Sequence, residues 1–341
     1  MNSVARMKSE QRAELFAATA DRLDIQASLI EKDFWVCWVL KQIFSIESFS
    51  DRLLFKGGTS LSKVFGAINR FSEDIDLAVD YAMLGFTGLR EPTQPGLSKT
   101  KRADLLAEML QQCQRYIRND FQPALADRFT GILGSKMAWS LMIDEQDSHI
   151  VRFQYPTAVQ QRVAYVAPQV VLELGTHAEF VPRGEFAIRA FAATEFPGFF
   201  EEPEIRVVSL LAKRTFWEKA TILHAEYHRA PEKPLPARYA RHYYDLAMLA
   251  RAPSQEDAVS DIELLAQVVR HKQAFYPSAW AQYALAVPGS FRLVPPAARI
   301  AALKADYGNM SVMLFGKPPS FESILTTLMD LEQKINALGQ H

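Results

Sequence analysis

The chain has 341 residues, 49% of them hydrophobic, with 38 basic and 39 acidic side chains and a formal net charge of -1. That length and apolar content allow two domains, or one large one with a helical extension, and exclude a disordered chain. Near-neutrality excludes a protein coated in positive charge, so any nucleic-acid contact must come from a local basic patch. Cys37 and Cys113 lie far apart in helical patterns, which reads as two reduced thiols rather than a disulfide framework. Met1 to Arg22 lacks the apolar centre of a signal peptide, and no stretch approaches the roughly eighteen apolar residues of a membrane span, so a cytoplasmic chain is expected.

In chain order, helical periodicity covers residues 8–23 and 26–46. In the second, Ile30, Phe34, Val36, Trp38, Leu40 and Ile43 suffice for a packed face, Trp35 and Trp38 read as core, and Lys32 and Asp33 read equally as surface charges. Leu53, Leu54 and Phe55 fit a short buried strand that stops at Gly57-Gly58, a pair that lets the backbone turn tightly and come close to a ligand. Thr59 and Ser60 are N-cap residue types, and Leu61, Val64 and Phe65 repeat at helical spacing, so the turn opens a helix whose first N–H groups favour an anion such as phosphate. The hydroxyls are expected to add contacts. Asp74-Ile75-Asp76 then begins a second strand, and the period of two puts both carboxylates on one face and Ile75 and Leu77 on the other. Two carboxylates so placed suit Mg2+ held jointly with phosphate oxygens.

Residues 81–99, with Gly85, Gly88, Pro92, Pro95 and Gly96, read as a long irregular segment, either a mobile flap or a surface loop. A helix over 100–127 follows, with a solvated face bearing Lys99, Lys101, Arg102, Arg115 and Arg118. Strands are expected at 137–143, 149–155 and 168–174. The last carries Glu173 among apolar residues, where an unpaired charge is costly, so Glu173 needs either a salt-bridge partner or a place as third carboxylate beside Asp74 and Asp76. The Pro- and acid-rich stretch 195–204 marks a border near residue 205 between domains 1–205 and 206–341. A helix over 205–229 carries Arg214 and Glu218 four apart, a spacing repeated by Arg241 and Asp245; each pair alone reads as surface decoration. From Arg206 to Arg241 eight basic residues face three acidic ones, the best candidate surface for phosphates. The helices at 255–273, 297–306 and 320–338 show apolar stripes and no chemistry.

The string Phe55 to Lys63, Phe-Lys-Gly-Gly-Thr-Ser-Leu-Ser-Lys, followed by Arg70 to Leu77, Arg-Phe-Ser-Glu-Asp-Ile-Asp-Leu, resembles the AbiEii/AbiGii nucleotidyltransferase toxin family within the polymerase-beta-like superfamily. Ile30–Trp35, Arg214–Lys219 and Arg241–Leu246 are similar to three further motifs of that family, so the resemblance runs from residue 30 to 246. It implies an α/β (α+β) polymerase-beta-like nucleotidyltransferase core with a mixed sheet, followed by a C-terminal helical domain. It also implies transfer of a nucleotide from an NTP to an acceptor, tRNA or another RNA, with an antitoxin as functional counterpart. Lys56, Gly57, Gly58, Thr59, Ser60 and Lys63 would then form the phosphate-holding stretch, and Asp74, Asp76 and Glu173 would hold Mg2+ or Mn2+. By resemblance Lys219 grips phosphates, Arg214 supports it, Asp245 orients the nucleotide, and Lys32 reaches the phosphates or braces the Gly57 turn. Transfer onto a small molecule, NTP or antitoxin binding without turnover, and an Asp-x-Asp glycosyltransferase are the rival readings.

Overall fold

A computed structural model describes residues 1–160 and 167–340. The chain forms two compact units: Met1–Val64 with Phe71–Arg90 and Ala103–Leu210, and Phe65–Arg70 with Glu91–Arg102 and Leu211–His341. Two short excursions from the N-terminal half thus belong to the second unit. The sheet of the first unit runs on through Leu210, because Ile205–Leu210, expected as the start of a helix, is a strand.

The first unit contains a mixed sheet of β1 (Leu53–Lys56), β2 (Asp74–Val79), β3 (Ser140–Ile143), β4 (Ile150–Gln154), β5 (Gln169–Gly175), β6 (Arg183–Ile188) and β7 (Ile205–Leu210), in the order β3-β4-β5-β2-β1-β7-β6. Helices α1 (Ser9–Leu23) and α2 (Ala27–Phe44) precede it, and α3 (Gly57–Lys63) leaves the end of β1. The helix expected over 100–127 is broken into α4 (Lys99–Tyr116) and α5 (Gln122–Leu133) by a wider π turn at Ile117–Phe121, just before Pro123, whose ring cannot continue the backbone ladder. Strands β1, β2 and β5 lie side by side at the centre. β1 runs antiparallel to β2 with Lys56 opposite Asp76, and β2 runs parallel to β5 with Asp76 level with Glu173.

Alternation sorts the two faces of the sheet. Leu53, Phe55, Ile75, Leu77, Leu172 and Leu174 point to one face and join the main core with Phe34, Trp35 and Trp38 of α2, all essentially without solvent contact. The rings interlock: Trp35 packs edge-on to Trp38 at 5.4 Å and stacks on Tyr155 at 5.6 Å, while Trp38 stacks on Phe153 at 5.7 Å. The other face holds a small apolar group around Leu54, Ala78 and Leu210, and beyond it the partly exposed Asp74 and Asp76.

Three consecutive charged residues of α2, Glu31, Lys32 and Asp33, are buried, against the surface reading of the last two. Each has its own partner, and each of those comes from a different segment. Glu31 accepts from the backbone N–H of Ala158 at 2.6 Å and from the Thr157 hydroxyl at 2.9 Å. Lys32 Nζ meets Glu73 at 2.5 Å and the carbonyl of Ala167 at 3.3 Å. Asp33 pairs with Lys63 at the end of α3 and accepts from the Phe191 N–H at 2.7 Å. Burial alone would lower the Lys63 pKa, but the Asp33 carboxylate overrides it and raises it, while burial pushes the Asp33 carboxyl up against the pull of Lys63 and the Phe191 N–H.

The second unit is helical: α6 (Ala212–Tyr227), α7 (Ala240–Arg251), α8 (Ile262–Phe275), α9 (Ala297–Asn309) and α10 (Phe321–Ala337), with a shorter helix at Gln255–Ser260. Helix α7 packs on α6, α9 and α10, and the Trp217 indole donates to Ala258 O at 2.9 Å. The excursion Phe65–Arg70 is stitched to this unit by the bridge Arg70–Leu314 and by Phe315 N–H on Asn69 O at 2.9 Å. Among the described residues no helix is long and apolar enough to cross a membrane.

Because Lys63 is largely enclosed beside buried Asp33, Asp33→Ala strands a cation and is expected to cost about 3–5 kcal/mol in urea unfolding, whereas Asp33→Leu with Lys63→Met recovers most of that loss. A double variant as unstable as the single one would contradict the pairing.

Candidate functional site

The carboxylates of Asp74 and Asp76 share the open face of β2, and Glu173 stands level with Asp76 on the neighbouring β5. Glu173 is exposed, which corrects the expectation of a charge enclosed in an apolar strand. Its strand alternates, so Val170, Leu172 and Leu174 face the core while Glu173 faces outward with the two aspartates. Lys56, opposite Asp76 in the register, completes this face.

Gly57 has φ +81, a left-handed conformation, and a Cβ placed on it would collide with the Asp76 carboxylate. The backbone turn and the acid are therefore in direct contact, and any side chain at 57 would displace Asp76. The hydroxyls of the turn are used internally: Thr59 is buried and donates to the carbonyl of Asp74 at 2.5 Å, and buried Ser60 donates to the carbonyl of Gly57 at 2.9 Å. Thr59 thereby ties α3 to the first residue of the aspartate strand. No side chain caps the start of α3.

Glu73 and Arg70 are the residues that sequence reasoning left without a role. Glu73 carries the Lys32 pair up to the residue beside Asp74. The Asp74 carboxyl is pushed up from 3.8 to about 6, first by burial, then by the charges of Glu73 and Glu173, with Lys32 opposing and Asp76 adding a little. Lys63, expected at the phosphates, instead faces Asp33 and lies over the Phe191 ring at 3.7 Å.

In the second unit Asp245 is fully buried, and Arg70 grips it with two bonds, Nε at 2.7 Å and Nη2 at 3.0 Å. Lys219 Nζ lies 2.8 Å from Asp245 Oδ2, the oxygen that also takes Arg70 Nη2, and 3.2 Å from His242 Nδ1. Burial would raise the Asp245 pKa, but Arg70 and Lys219 hold it well below the usual carboxylate range. Arg214 is wholly buried, 3.3 Å from Glu218, so neither it nor Asp245 is surface decoration. Lys213 pairs with Asp261 at 2.9 Å. The basic surplus read over Arg206 to Arg241 is thus partly turned inward rather than spread on one surface.

Among the described residues no three His, Cys, Asp or Glu side chains are grouped so as to hold a metal ion by themselves. The expected three-acid ligand set is therefore not assembled by the protein alone. Asp74 and Asp76 still fit Mg2+ or Mn2+ chemically, because such hard ions take one or two carboxylates and complete their shell with water and phosphate oxygens. Two cavities of about 430 and 570 Å3 border Ser9, Gln26 and Ala158, and Trp139, Tyr155 and Gln169; none of the carboxylates lines either.

A mixed sheet that presents an Asp-x-Asp strand against a Gly-Gly turn belongs, with the comparisons that follow, to the class of nucleotidyltransferases. The chain is a member of the family described as nucleotidyl transferase AbiEii toxin, type IV toxin–antitoxin system, whose model matches residues 38–327. The match leaves Ile30–Trp35 outside and extends well past residue 246. Among solved structures, MenT4, a nucleotidyltransferase toxin from Mycobacterium tuberculosis H37Rv, is similar over 94% of this chain and 89% of its own, with a TM-score of 0.52 and 14% identity. At that identity the likeness is one of fold. No curated protein matches by sequence.

The raised Asp74 pKa has a signed consequence. Ionising Asp74 opposes folding, so in metal-free buffer this contribution falls as pH rises from about 4 to about 6 and stays low above that. Asp74→Asn is expected to stabilise the fold by about 1–3 kcal/mol at pH 8, with the gain vanishing below about pH 4. Urea midpoints at pH 4 and 8 measure it, and an equal effect at both would contradict the assignment. Gly57→Ala, which meets both the positive φ and Asp76, is expected to destabilise by more than about 1 kcal/mol and to abolish activity. An active, unperturbed Gly57→Ala protein would contradict the contact.

Proposed function

We propose that this nucleotidyltransferase joins a nucleotide from an NTP to a hydroxyl of an RNA acceptor, tRNA among the candidates, in a Mg2+-dependent reaction inside the cytoplasm, where an antitoxin opposes its toxicity. The hydroxyl oxygen bonds to the α-phosphorus as its proton passes to solvent, the α-phosphorus bond to the bridging oxygen of the β-phosphate breaks, and pyrophosphate leaves with the displaced electron pair. When bound, the metal supplies Lewis acidity at the α-phosphate and neutralises charge on the departing group.

The chain's own part is positional. Asp74 and Asp76 are the proposed metal-holding pair, Glu173 extends the acidic face, and the Gly57-Gly58 backbone and Lys56 are the proposed phosphate neighbours. The observation that carries the reading is the contact of the Asp76 carboxylate with Gly57, which sets a cation-binding group directly against an uncapped helix start. Lys32, through Glu73, and Lys63, through Asp33, are proposed as positioning residues for this turn and strand. In the second unit Asp245 is proposed to hold Lys219 and Arg70 as fixed cations, and Arg214 to support them.

The test is incubation with α-labelled NTPs, Mg2+ and total tRNA. Label is expected to enter RNA, to be lost with EDTA, and to fall by at least about 100-fold in Asp74→Ala, which also relieves growth inhibition in a bacterial host. Absence of transfer together with unchanged toxicity of Asp74→Ala would overturn the proposal.

A further inference from the structure

Four of the ten exposed large hydrophobic side chains among the described residues fall within one short stretch of the second unit: Tyr276, Trp280, Leu285 and Val287, each 42–44% exposed. They lie on or beside two successive one-turn helices, Ala279–Ala281 and Tyr283–Leu285. The stretch is firmly placed. Buried His224 of α6 lies with Nε2 3.1 Å from Gln282 O, while Nδ1 accepts from the Arg292 N–H at 3.1 Å, which puts the ring proton on Nε2. Burial lowers the His224 pKa to about 4, so the neutral ring that this arrangement requires is the one present at physiological pH.

Cations attend the rings. The Arg229 guanidinium lies 5.2 Å from the Trp280 ring centre, the Lys272 ammonium 4.7 Å from Tyr276, and the Arg292 guanidinium 5.5 Å from Tyr227. From Arg270 to Arg292 the chain has three basic residues and no acidic one, in a protein of net charge -1. Three acids approach from neighbouring elements. Glu226 is buried, 3.6 Å from Arg229. Glu332, 3.5 Å from Arg292, also accepts from the backbone N–H groups of Leu293 and Val294 at 2.5 and 3.1 Å. Glu218 acts electrostatically on Tyr276.

Half-exposed rings with cations beside them are the combination that holds single-stranded nucleic acid, the bases stacking on the rings and the phosphates meeting the charges. We infer that this surface of the second unit binds single-stranded RNA, with Trp280 and Tyr276 stacking bases and Arg229, Lys272 and Arg292 meeting phosphates. The inference rests on the acceptor being RNA and adds where that RNA is gripped.

The test uses the full chain and a fluorescein-labelled twelve-nucleotide RNA of mixed sequence, read by anisotropy at several salt concentrations. Trp280→Ala is expected to weaken binding about 5- to 100-fold and Trp280→Phe by less than about threefold, since every base can stack on either ring. Arg292→Ala is expected to reduce the salt slope by about 0.7. RNA should quench tryptophan emission in wild type and far less in Trp280→Ala, because Trp35, Trp38 and Trp217 are buried and the half-buried Trp139 belongs to the first unit. Equal affinity of Trp280→Ala and wild type would overturn the inference. So would a Trp280→Ala protein whose only change is loss of self-association, which would make the patch a contact between copies. Trp280-dependent RNA binding without nucleotide transfer would sink the acceptor reading alone, and transfer to RNA with an unchanged KM in Trp280→Ala would sink this inference alone.

Discussion

Asp76 lies against a residue that can have no side chain. That contact constrains both partners, because Gly57 must adopt a positive φ for β1 to turn into α3, and the space its missing Cβ leaves is taken by the carboxylate. Lys56, the last residue of β1, stands opposite Asp76 in the register, so strand pairing sets the acid at the level of the turn. Thr59 then fastens α3 to Asp74, one alternate residue away on the same strand. Turn, helix and aspartate strand thus form one unit whose parts cannot shift independently.

That unit is held by charge placed where charge is expensive. Glu31, Lys32 and Asp33 sit within two turns of a helix whose remaining faces are apolar, and each meets a partner that comes from elsewhere in the first unit. Removing buried ions from water costs several kcal/mol each before pairing offsets it, so such groups weakly favour stability and strongly favour one arrangement over its neighbours. Here the arrangement selected is the position of Glu73 beside Asp74 and of α3 beneath the glycine turn. Burial first, and then the charges of Glu73 and Glu173, push the Asp74 carboxyl up to about 6, a destabilised group of the kind that binding a cation would relieve.

Much of this was legible in the residues. The period of two in Asp74-Ile75-Asp76 placed both acids on one face, the Gly57-Gly58 pair marked the turn, and Trp35 and Trp38 read as core. What the sequence hid was long-range pairing. Lys32 and Asp33 look like ordinary helix charges until Glu73, 41 residues from Lys32, and Lys63 are brought to them, and Asp245 looks paired with Arg241 until Arg70, 175 residues away, takes it. Glu173 misled in the opposite direction, since apolar neighbours in a strand say nothing about the face between them. The strand Ile205–Leu210 was hidden because Arg206 and Ser209 interrupt its apolar run beside an acid-rich stretch.

Asp74 and Asp76 are proposed to hold a divalent ion together with a triphosphate lying along the glycine turn. Calorimetric titration with a non-hydrolysable NTP tests this most directly, in Mg2+ and in EDTA, on wild type and on Asp76→Asn. Binding in Mg2+ is expected to weaken at least about tenfold both on chelation and in the variant. Equal affinity under all of these conditions would contradict it.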